Sequence, residues 1–177
     1  RQRQMCIRDR TNVGTLQVDA DLRIENAGDV FDTTRGTVSV ASGVTLEVLN
    51  GQSRIGTNSI LNGPGSIDIN NGTLEVASNV IVAAAGPQWI FTSASTIDGP
   101  GLVTIDTGAG FEIEDDTVNV DMHVDGTLTV FNSFSTINGE LRIGSAGTLL
   151  VDGGDFNDGQ VIINRDVVND GQVVLDH

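Results

Sequence analysis

The stretch TVNVDMHVDGTLTV, residues 117–130, decides the fold. In it Val118, Val120, Met122 and Val124 alternate with Asn119, Asp121, His123 and Asp125. A period of two places the aliphatic set on one side of an extended chain and the polar set on the other. Strict alternation of this kind predicts a strand with one face in a core and the other in solvent. The run closes on GTLTV, one instance of a shorter unit that recurs along the chain.

That unit is Gly-x-[Leu/Ile/Val]-x-[Leu/Ile/Val]. It occurs ten times, from GTLQV at Gly14, through GSIDI at Gly65, GTLEV at Gly72 and GELRI at Gly139, to GQVVL at Gly171. With 22 glycines in the chain, about two matches would arise by chance. Each reads as a turn glycine leading into a short strand. Longer repeats lie over it: FTSASTIDG (Phe91–Gly99) and FNSFSTING (Phe131–Gly139) share F-x-S-x-S-T-I-x-G, with a fainter copy at Ile55–Gly63. Units of 12–14 residues pairing into units of 20–25 and 36–40 predict a coil of two or three short strands per turn. Gly, Asn and Asp at the bends tolerate positive φ. Pro64, Pro87 and Pro100 all fall at bends, so no linker divides the chain.

Composition narrows the class. Residues 11–177 contain five arginines (Arg23, Arg35, Arg54, Arg142 and Arg165), no lysine and 23 acids, and are more negative than the −15 of the whole chain. Seventeen of those acids are Asp, which favours turns, and no long apolar run spans a membrane. An acidic surface repels phosphates and anionic headgroups, so neither nucleic acid nor membrane insertion of this segment is expected. A β-sandwich anchors its core on large aromatics, whereas this chain has one Trp, six Phe and no Tyr. A solenoid needs only stacked aliphatic ladders. The fold expected for residues 11–177 is a single all-β domain, a right-handed parallel β-helix of seven or eight coils, about 35 Å long at ~4.8 Å per coil.

The first ten residues, RQRQMCIRDR, stand apart: they hold four of the nine bases and the only cysteine. Translated back in one frame, they resemble the end of a transposase-type sequencing adapter. Residues 1–10 are therefore expected to be non-native and disordered, packing on nothing, and the native segment to lack cysteine. Residues 11–177 are expected to be an interior fragment of a longer protein. QVVLDH at its end carries no polar cap, so self-association through uncapped coils is a further expectation.

The GTLxV, NxGxV and STIxG units resemble the β-helix repeats of bacterial surface proteins, above all autotransporter passengers and filamentous-haemagglutinin-like adhesins. The resemblance covers essentially all of 11–177. It implies an extracellular or cell-surface location and a structural or adhesive, non-catalytic role, with glycans or other surface proteins as partners. The alternative is a β-helix polysaccharide lyase or hydrolase fragment acting on extracellular glycans.

Candidate chemistry is sparse. In FEIEDD, Glu112, Glu114, Asp115 and Asp116 offer paired carboxylates of the kind a glycosidase uses. Glu112 and Glu114 alternate with Phe111 and Ile113, so they read first as the wet face of a strand. In DMHVD, Asp121, His123 and Asp125 share a strand face, two of them within reach of one ion, but zinc takes three or four ligands. DGGDFNDG (Asp152–Gly159) lacks EF-hand spacing and reads as an Asp-rich turn. The remaining histidine is His177. A uronate lyase wants a basic cluster, and five scattered arginines make none. An ice-binding face would need repeated Thr-x-Thr, and only Thr127–Thr129 fits. The expectation is no enzyme, no catalytic, cofactor or metal site, and only weak, diffuse association with calcium.

Overall fold

From Val118 to Val130 every apolar side chain points inward: Val118, Val120, Met122, Val124, Leu128 and Val130 are all buried. The alternation continues through two bends, so the stretch forms three strands rather than one. They are Thr117–Val118, Met122–Val124 and Thr127–Phe131. The first and third belong to a long fifteen-stranded sheet and the second to a separate five-stranded sheet. A chain that turns twice with its aliphatic side always inward encloses that side.

The computed structural model describes residues 3–6, 10–25, 28, 30–131, 134–153 and 159–176, with the backbone alone at 3–6 and 10. These residues form an all-β solenoid of about seven turns. A three-stranded sheet of Thr15–Val18, Thr37–Val40 and Ile60–Asn62 completes the walls. Among the described residues no helix is long and apolar enough to cross a membrane. Successive coils pair in parallel, and the register stacks like on like. One column runs Leu46, Ile67, Trp89, Phe111, Leu128, Leu149. A second runs Val48, Ile69, Phe91, Ile113, Val130, Val151. Across the core, Val80, Val103, Met122 and Leu141 form a third. The columns emerge at Val167, Val173 and Leu175, which are exposed.

At most of the strand units, though not at Gly14, the opening glycine has a steric reason. Gly139 and Gly147 do not have positive φ. A Cβ at either would collide with the carbonyl of Val120 or Val124 in the coil below. Among the non-glycine residues positive φ is found where the long sheet folds at its corner, at Asn50 and Asn71, each with φ 51°, and at Ser93, Ala94 and Asp115. Asparagine tolerates this region because its short side chain bonds locally. Asn71 Nδ2 donates to Asn50 Oδ1 at 2.7 Å, one coil onto the next.

The core is not aliphatic throughout. Trp89, Phe91 and Phe111 form a buried plate, with ring centroids 6.0 Å apart for Trp89–Phe91 and 5.0 Å for Phe91–Phe111. Next to it lies an internal cavity of about 20 Å³ whose wall includes Phe31, Ser53, Leu74 and Trp89. Ser53 stacks between the apolar Phe31 and Leu74, and its buried hydroxyl has no hydrogen-bond partner among the described residues. An unpaired buried hydroxyl beside empty space is doubly unfavourable. Ser53→Val should therefore raise stability by about 1–2 kcal/mol in urea unfolding; an unchanged or lowered midpoint would show that Ser53 is satisfied in solution.

At the other end of the molecule Arg3–Cys6 runs parallel to Leu22–Glu25, and Arg10–Thr11 to Phe31–Asp32. The backbone at 3–6 and 10 thus joins the ladder, where the sequence reading has residues 1–10 packing on nothing. A parallel ladder uses only main-chain groups, so its edge accepts a strand of almost any sequence.

Candidate functional site

The densest chemistry lies on the outer face of the long sheet. Because coils stack in register, outward residues far apart in sequence form columns. One column runs Arg23, Glu47, Asp68, Ile90, Glu112, Thr129. Thr92 and Asn70 stand beside each other in the next column, toward the corner that carries Glu114. Arg23 Nε lies 3.6 Å from Glu47.

Crowding alters the acids. Burial pushes the Asp68 carboxyl up; the hydrogen bond from the Thr92 hydroxyl, 3.1 Å, opposes this, and the charges of Glu47 and Glu114 add to it. Burial likewise raises Glu112, helped by the charges of Glu114, Asp152 and Asp68. Asp68 and Glu112 are thus two raised carboxyls in one column, with Ile90 between them. Two coil steps of ~4.8 Å separate their backbones.

The four acids of FEIEDD do not act together. Glu112 lies on the strand Gly110–Ile113 and faces outward. Asp115 is an exposed corner residue with φ 59°. Asp116 turns inward and is only 2% exposed. Its carboxylate accepts the Ser95 N–H at 2.6 Å and the Glu114 N–H at 2.7 Å, while its own N–H donates to Ser135 Oγ at 3.2 Å. Asp116 therefore ties three consecutive coils at one corner. Burial pushes its carboxyl up to about 7, against the pull of the two backbone donors and with help from Asp115 and Glu114. The sequence carried a signal for this: Ser95 and Ser135 are the serines of the two S-T-I repeats, and Asp116 precedes the Thr-Val that stacks between them.

In DMHVD the structure brings Asp125 to His123, with 3.5 Å between Oδ2 and Nε2. Asp121 is engaged elsewhere: its Oδ1 accepts the Glu140 N–H at 2.8 Å, closing a turn in the next coil. His123 stands between Thr104 and Arg142 in its column. Among the described residues no three His, Cys, Asp or Glu side chains converge as a metal group. Most of DGGDFNDG, and His177, lie outside the described residues. The chain matches no family model, no curated protein and no solved structure.

Proposed function

We propose that residues 11–177 are a structural or adhesive module of a large secreted bacterial surface protein, working at the cell surface without catalysis. The observation that supports this reading is the continuous parallel ladder, in which outward side chains repeat on flat faces from coil to coil. Such a face offers many weak, repeated contacts rather than one enclosed reaction centre. The acids with specific partners are used to hold the coil: Asp116 ties its corner and Asp121 its turn. The remaining acids make the surface strongly negative, which favours diffuse association with calcium.

A second reading rests on Asp68 and Glu112, whose raised carboxyls in one column are the kind of pair a glycoside hydrolase uses. One assay separates the two. Neutral and acidic polysaccharides are incubated with the protein, with and without calcium, and new reducing ends or unsaturated products are measured. The module reading expects no turnover on any polymer. Turnover that disappears in Glu112→Gln would replace it with a hydrolase.

A further inference from the structure

Beside the acidic face the solenoid carries a track of different character. At the corner that follows Asn50 and Asn71 lies an open groove of about 460 Å³, lined among others by Gly51, Gln52, Asn71, Gly72, Thr73 and Thr96. None of its lining residues is charged, in a chain with a formal charge of −15. The register continues the line: Gln52 pairs with Thr73, Thr73 with Thr96, Thr96 with Thr117 and Thr117 with Thr136. Five hydrogen-bonding side chains thus stand one coil step apart, about 4.8 Å.

The threonines on this line differ from those used in folding. Thr33, Thr34, Thr57 and Thr92 spend their hydroxyls on bonds within the protein. The hydroxyls of Thr73, Thr96, Thr117 and Thr136 have no protein partner among the described residues, and all four side chains are half-buried at the surface. Two residues further along each strand stand Arg54, Glu75, Asp98, Asn119 and Asn138. Arg54 is held by Glu75 at 3.0 Å and Glu75 also takes the Gln52 amide at 2.8 Å, so the one base beside the track is neutralised.

We infer that this track binds a single uncharged polysaccharide chain lying parallel to the solenoid axis. The inference rests on the adhesive reading above and names its ligand class. A hydroxyl both donates and accepts, so a row of free threonines matches a polymer whose every unit presents hydroxyls. Asp98 on the flank and the chain's formal charge of −15 disfavour anionic polymers. Gly51 and Gly72 keep the groove floor bare, and the coil step is close to the rise of one sugar unit along an extended chain. No aromatic side chain lines the groove, so affinity comes from repetition. It should rise with polymer length and level off once the five rungs are occupied.

The test is affinity electrophoresis of the full chain through gels containing dextran, mannan, laminarin or xyloglucan, with alginate and polygalacturonate as acidic controls. Retardation is expected on at least one neutral polymer and on neither acidic one. The triple variant Thr73→Val, Thr96→Val, Thr117→Val keeps strand propensity and shape but removes three hydroxyls. It should weaken retardation at least about tenfold with an unchanged melting temperature; if it melts early, Gln52→Ala alone should still weaken retardation. Migration unaffected by every neutral polymer, retardation as strong on alginate, or retardation that survives the hydroxyl deletions would each overturn this inference and leave the module reading standing. Cleavage of a gel polymer would instead overturn the module reading.

Discussion

Unfolding should require more heat at pH 5 than at pH 8. Asp116 is the main reason. The corner that buries its carboxyl holds the proton up to about pH 7, whereas an unfolded aspartate releases it near 3.8. The folded state therefore binds more protons than the unfolded chain between those values, and stability falls as pH rises through that window. The contribution is complete below about pH 4 and absent above about pH 7. Asp68 and Glu112 are raised as well, so they act in the same direction. The expected loss from pH 5 to pH 8 is on the order of 2–4 kcal/mol, or roughly 5–10 °C in melting temperature. Asp116→Asn cannot ionise; it should melt lower at pH 5, because its amide confronts a backbone donor, yet lose less than half as much as the parent on going to pH 8. Stability that is flat or rises over this range would mean that the corner carboxylate is comfortably charged.

Phe91→Ala should be the most damaging single change in the core. Phe91 is fully buried, lies in the column between Ile69 and Ile113, and packs on both Trp89 and Phe111. Its removal leaves a cavity that the stacked coils above and below cannot close without shifting their register. A cost of about 3–5 kcal/mol is expected, together with loss of the Trp89–Phe111 plate. Urea unfolding followed by Trp89 fluorescence reads both, since Trp89 is the only tryptophan. A cost below about 1 kcal/mol would mean a loosely packed core rather than an aromatic plate.

The columns were legible in the sequence wherever alternation is strict, as at Val118, Val120, Met122 and Val124. The Gly-x-aliphatic unit located the strand starts, although the reason for most of its glycines is close approach between coils rather than a positive φ. What a linear reading cannot see is the register between coils, because coil lengths vary. Thr73, Thr96, Thr117 and Thr136 fall at unequal intervals in sequence, yet occupy one column. A search for Thr-x-Thr within one strand missed them. The pattern Thr-aliphatic-[Asn/Asp/Glu] is found at all four, but also at Thr45 and Thr104 in other columns, so it narrows the search without settling the register. Ser53 was equally hidden, since only stacking reveals that its column is apolar on both sides. Asp116 read as one of four surface acids because its inward turn is set by the two neighbouring coils.

The core columns, the Asp116 corner and the threonine track all depend on one uninterrupted parallel stack. Its most direct test is a spin-label distance between Gln52→Cys and Thr136→Cys, with Cys6 replaced by serine. Four register steps join these positions, so a narrow distribution is expected with the labelled backbones about 19 Å apart. A broad distribution, or one centred beyond about 30 Å, would contradict a stack at one coil step per rung.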